Sequence, residues 1–175
     1  MELAEASQQL ESSSLFKDWR KSHKNDFLAH AFVLFDEANA DIWQLGFFNA
    51  KKKLMTTFLL EKNDIKMIPD QEILKSGAEI VPLKVDEVKV VSLPAVHMAQ
   101  QLLKKEYANP VVLKMFFIVQ QANDGPVYNV TFFTRALKTI NIKIAATDGK
   151  ILEHSESALA NFSWVITLWT KLIAQ

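Results

Sequence analysis

Residues 113–154, LKMFFIVQQANDGPVYNVTFFTRALKTINIKIAATDGKILEH, decide how this chain is read. Four apolar runs, 113–121, 127–134, 137–145 and 150–154, are separated by short polar breaks. In the third run Ile140, Ile142 and Ile144 alternate with Thr139, Asn141 and Lys143, the period of two of a strand with one buried and one wet face. Asn123-Asp124-Gly125-Pro126 and Asp148-Gly149 supply residues that tolerate positive φ between apolar runs, a strong hairpin signal. The stretch predicts four antiparallel strands.

Working outward, Ser92-Leu93-Pro94 puts a capping hydroxyl and an early proline at a helix start. Val96, Ala99, Leu103 and Tyr107 then form an apolar stripe, and Asn109-Pro110 ends it, because a residue before proline leaves the α region. The first half repeats the order. Ser12-Ser13-Ser14 offers N-cap oxygens for a helix over 14–24 carrying Leu15, Phe16, Trp19 and His23, with a looser turn before it around 5–10. Strands are expected at 32–35, 42–48, 54–60 and 65–68, with Lys51-Lys52-Lys53 at a hairpin tip.

Laid on each other, the halves match at a fixed offset. Asn25 and Asn109, Phe32 and Phe116, Ala38-Asn39 and Ala122-Asn123, Asp64 and Asp148, and Lys66 and Lys150 are each 84 positions apart. Trp43 falls on Tyr128, and Phe47-Phe48 on Phe132-Phe133, at an offset of 85. The expected fold class is therefore α+β, with two repeated units, each one helix packed on its own four-stranded antiparallel sheet, plus a C-terminal helix. The units are assigned to residues 1–70 and 92–156, a structured connector to 71–91, and the last helix to 157–175. Within the connector, 79–83 and 85–91 are β-branched enough to add edge strands. In the last segment Ala158, Phe162, Val165, Trp169 and Leu172 share one side of a helix, and Trp164, Leu168 and Ile173 widen its apolar surface.

Composition removes several function classes. Twenty basic and 20 acidic residues cancel, so no long-range field draws the chain to nucleic acid or anionic membranes, and no nucleic-acid partner is expected. The absence of cysteine excludes thiolate nucleophiles, Cys-ligated zinc and iron–sulfur clusters. No run reaches the ~20 apolar residues of a membrane span. The acidic N-terminus, Met1 to Ala6, lacks the apolar core of a secretory signal. A cytoplasmic location is expected from the chain as it stands, and an extracytoplasmic one if a signal has been removed.

Here a resemblance enters. The helix from Pro94 to Tyr107, the strand Tyr128-Asn129-Val130-Thr131-Phe132 and the hairpin Ile144-Ala145-Ala146-Thr147-Asp148-Gly149-Lys150-Ile151-Leu152 together resemble a PepSY-type domain, a cystatin-like α+β module. The resemblance covers about residues 92–154, and it reaches the first half only through the internal match, with Ile65 standing where the second half has Gly149. It implies a non-catalytic module that binds or inhibits peptidases or serves as an envelope interaction domain. The wedge of true cystatins, Gln-x-Val-x-Gly, is not matched by Gln120-Gln121-Ala122-Asn123.

Sites for chemistry are sparse. His23, His30, His97 and His154 lack metal-ligand spacing, and no GxSxG, P-loop or GxGxxG occurs, so neither catalysis, a metal nor a cofactor is expected. Candidate binding residues are aromatic: Trp43 with Phe47 and Tyr128 with Phe132, each pair on one face of its strand, and Trp164 and Trp169 in the last segment. The plainer reading of the strand pairs is helix-facing core. The expected function is a non-enzymatic protein- or peptide-binding module, with a homodimer among the assemblies to test. The alternative is a carrier of a small apolar ligand in a cavity lined by Phe32, Phe47, Phe116 and Phe132.

Overall fold

Two helices, not one, open the chain. In the computed structural model, which describes residues 1–35, 42–62, 64–72, 79–108 and 110–158, α1 spans Leu3–Ser12 and α2 spans Ser14–Ser22. Leu3, Ala6 and Leu10 fall on one side of α1 and are buried. Ser13 both ends α1 and starts α2. Its extended backbone (ψ 148) breaks the helix, while its hydroxyl donates to the Leu10 carbonyl (2.7 Å) and accepts from the Phe16 N–H (3.2 Å). One serine thus satisfies an orphan carbonyl and an orphan amide at adjoining helix ends.

The strands follow as β1 (Phe27–Phe35), β2 (Trp43–Asn49), β3 (Leu54–Leu60) and β4 (Ile65–Glu72). After α3 (Ser92–Glu106) come β5 (Val112–Ala122), β6 (Gly125–Thr134), β7 (Lys138–Ala145) and β8 (Ile151–Ala158). The lysine run lies at the exposed β2–β3 tip, where the Asn49 side chain accepts from the Lys51 and Lys52 amides at 3.1 and 2.9 Å.

The eight strands make one antiparallel sheet in the order β4-β3-β2-β1-β5-β6-β7-β8. This corrects the expectation of two repeated units, each a helix on its own four-stranded sheet. β1 and β5 pair without a break from His30↔Gln120 to Phe35↔Met115, so neither half closes by itself. The physical reason lies in those two strands. Ala31 to Leu34 and Phe116 to Val119 are buried at every position, so each is apolar on both faces. As free edges they would expose both hydrophobic surface and an unpaired backbone ladder. Pairing them removes both costs.

The buried residues of α1, α2 and α3 join one core with alternate strand residues, among them Trp43, Phe58, Phe117, Val130 and Ile142. Burial of a side chain such as Phe58 contributes roughly 1.5–3 kcal/mol. Phe16 and Trp19 of α2 pack on Phe47 and Phe58 with ring centroids 5.1 to 5.4 Å apart. The Arg20 guanidinium covers this group 4.9 Å from the Phe16 ring.

The connector adds no edge strand, contrary to the expectation for 79–83 and 85–91. It runs along the ends of the central strands instead. The Leu83 amide donates to Leu28 O (2.8 Å) and the Lys89 and Val90 amides both to Ala146 O (2.8 and 2.9 Å), with a short 3-10 turn, Val85–Glu87, between. A segment lying across strand ends meets turn carbonyls and has no ladder to extend. The C-terminal helix expected over 157–175 falls, from residue 159 on, outside the described residues.

Candidate binding edge

Four of the candidate aromatics lie in the core. Trp43, Phe47, Tyr128 and Phe132 are all buried on the helix-covered face. Two of them also carry a polar tie. Trp43 Nε1 donates to the Met1 carbonyl (3.0 Å) and Tyr128 Oη to the Val90 carbonyl (2.8 Å), so each holds the chain just before a helix. Burial, and then the Glu2 charge, push the Tyr128 hydroxyl well above the ordinary tyrosine pKa. Trp164 and Trp169 lie outside the described residues.

Phe47 and Phe132 belong to the core under the helices, whereas Phe32 and Phe116 belong to a separate cluster without any helix residue. The four therefore do not surround one cavity. A cleft between the start of α1 and the start of α3, lined by Met1, Glu2, Trp43, Ser92 and Phe117 among others, has a volume of about 80 Å³.

The four histidines are dispersed. His23 stacks on Trp19 (4.6 Å), His30 packs over Gly46, His97 is on α3 and His154 meets Tyr107. Among the described residues no three His, Cys, Asp or Glu come together to hold a metal ion. His30 is the one with a displaced pKa: burial lowers it to about 4, so its imidazole is neutral at pH 7.

The sheet has two margins, β8 and β4. β8 begins where Asp148 and Gly149 turn the chain back, with Gly149 at φ 80 and the Lys150 amide donating to Asp148 Oδ1 (3.0 Å). From Lys143↔Glu153 to Lys138↔Ala158 it pairs with β7 without a register shift. Lys138–Glu156 (2.6 Å) and Lys143–Glu153 ion pairs and a Thr139–Ser157 hydroxyl contact (3.0 Å) fix that register. Such exposed pairs contribute about 0–1 kcal/mol each. Seven of its eight residues are exposed and none is proline. At the helix side His154 Nδ1 and Tyr107 Oη are 2.8 Å apart, which sets the end of α3 beside this strand.

The other margin is different. β4 contains Pro69, its pairing with β3 shifts between Met55 and Thr57, and Asp70 takes φ 39. Proline and a bulge are the usual devices that blunt an edge against further pairing. The reading of 150–154 as a strand located β8 but stopped four residues short. The sequence His154-Ser155-Glu156-Ser157 carries no apolar alternation, because an exposed edge strand needs none.

No protein-family model matches the sequence, and no curated protein matches it. Among solved structures, a candidate lipoprotein from Clostridium difficile 630 is similar, with a TM-score of 0.51 at 13% identity over 82% of this chain and 90% of that one. That likeness is one of fold. The PepSY-type resemblance has no family match behind it. Among the described residues no helix is long and apolar enough to cross a membrane.

Proposed function

We infer that this chain is a non-enzymatic module that holds an extended peptide or protein segment along β8. The observation that carries the reading is the inequality of the two sheet margins: each pairing has one register shift, but β4 carries Pro69 and a positive-φ Asp70, while β8 is proline-free, exposed at seven of eight positions and in unbroken register from Glu153 to Ala158. A strand added there would gain main-chain hydrogen bonds whatever its sequence, and its alternate side chains would meet α3 and Tyr107 on one side. Ile151 and Leu152, 38% and 48% exposed, offer apolar contact at the start of the strand. The cleft between α1 and α3, about 80 Å³, is smaller than the roughly 300–1,000 Å³ of ligand cavities, and Phe32 and Phe116 lie in a different cluster from Phe47 and Phe132, which favours this reading over carriage of a small ligand. A role at the cell envelope is supported by the PepSY-type resemblance of 92–154 and by the fold shared with a candidate lipoprotein.

The test is amide chemical-shift mapping of the full chain against a library of unstructured peptides of about ten residues. Binders should move the amides of 151–158 and leave those of β4 unchanged. Binding that maps to β4 or to the helices, or no binding at millimolar peptide, rejects the reading.

A further inference from the structure

The side chains of β8 bear on which peptide its margin would favour. Ile151 to Ala158 read ILEHSESA, with two carboxylates and neither lysine nor arginine. The register gives the side on which each acid stands. Glu156 lies opposite Ile140 and Glu153 opposite Lys143, and directly opposed residues share a face. Ile140 belongs to the core under the helices, so Glu156 is on the helix side of the margin. Glu153, an odd number of positions away, is on the other side.

Both carboxylates reach solvent, the Glu153 side chain 63% exposed and that of Glu156 38%. Each is met on Oε1 by a lysine of β7, Lys143 and Lys138, yet a carboxylate has two oxygens and about four acceptor sites. A strand added outside β8 would hold its side chains about 4.5–5.5 Å, Cβ to Cβ, from those of β8. The side chains of β7 would be one strand spacing, about 4.8 Å, further off. The two acids are therefore its nearest charges, and the lysines stand behind them. On the helix side Tyr107, hydrogen-bonded to His154 two positions from Glu156, adds an aromatic ring, a favourable neighbour for a cation.

We propose that the segment held along β8 is basic, with two lysine or arginine side chains three positions apart, one beside Glu153 and one beside Glu156. The proposal rests on the β8 reading and goes beyond it by naming the chemistry of the partner. The spacing matters because the two acids stand on opposite faces. Cations two or four positions apart share one face of a strand and reach only one acid. Main-chain bonds alone let an added strand slide by two residues, and the paired cations fix its register. Each exposed pair is worth up to about fivefold in affinity, an effect that salt screens.

The test uses peptides of about ten residues in one threonine–valine host, equal in composition and charge, with two lysines either three or two positions apart. They are titrated into the full chain at low salt and followed through the amide shifts of 151–158. The three-apart peptide should bind about three- to tenfold more tightly. That difference should vanish in the double variant Glu153→Gln, Glu156→Gln and shrink in about 0.5 M salt. Equal affinities at β8, or a difference that survives in the variant, would overturn the proposal and leave the β8 reading standing. Peptides that bind nowhere along 151–158 would overturn both.

Discussion

Glu2 caps a helix 90 residues away: its carboxylate accepts from both the backbone amide (2.8 Å) and the hydroxyl (3.0 Å) of Ser92 at the start of α3. The residue before α3, Val91, has no side-chain oxygen to do this locally. A carboxylate at a helix N-terminus also meets the positive end of the helix dipole. Glu2→Ala should lower stability by about 1 kcal/mol, read as a shift of the urea midpoint with an unchanged slope. Glu2→Gln should lose less. A midpoint unmoved by Glu2→Ala would show that the contact has no net value.

His30 sets an acid limit. Its folded pKa of about 4 lies below the ordinary value of 6.5, so between those two pH values the unfolded chain binds the proton and the native one does not. Stability is then fully present above pH 6.5 and is lost as pH falls toward 4, by about 1–3 kcal/mol. Denaturant titrations at pH 7, 5.5 and 4.5 should show the decline, and His30→Gln should flatten this part of the profile. A parallel decline in that variant would assign it to other groups.

His30 lies over Gly46, where a Cβ would overlap the imidazole ring. The two are opposite each other on β1 and β2. Gly46→Val should therefore displace the ring and cost about 1–3 kcal/mol, measured by thermal unfolding. In the double variant Gly46→Val, His30→Ala part of that loss should return, since the clash has been removed. No recovery would mean that the strand, not the ring, rejects the side chain.

Tyr128 limits the alkaline side. Its raised pKa means the neutral phenol is favoured in the native state, so its contribution is present below pH 10 and is lost as pH rises above it. Absorbance titration of Tyr128 should wait for unfolding. Tyr107, the second tyrosine, is also raised, by burial first and then by Glu156 and Glu106, but it sits nearer solvent and should titrate reversibly while the chain is folded. Tyr128→Phe leaves the Val90 carbonyl without its donor and should cost about 1–3 kcal/mol, seen in denaturant unfolding at pH 7.

The hairpins of the second half were legible because their cues are local. Alternation in Ile140 to Ile144 and the Asp148-Gly149 turn depend on neighbours in sequence. The joining of all strands into one sheet was not legible, since β1 and β5 meet across about 85 positions. A signal was nonetheless present. The runs Ala31-Phe32-Val33-Leu34-Phe35 and Met115-Phe116-Phe117-Ile118-Val119 show no alternation, which marks strands buried on both sides and therefore central. The spacing of Leu3, Ala6 and Leu10 likewise specified α1, read as a loose turn. The candidate edge, β8, was the least visible, because its backbone and not its side chains gives it character.

The difference between the two margins also limits how copies of this protein could combine. If two molecules joined β8 to β8, the joint would be the same surface on both and would use up the border that has no proline. Each outer border of the pair would then be a β4, closed by Pro69. Growth by strand addition would stop at a pair, so a ribbon or fibre is not built from the folded state by this route.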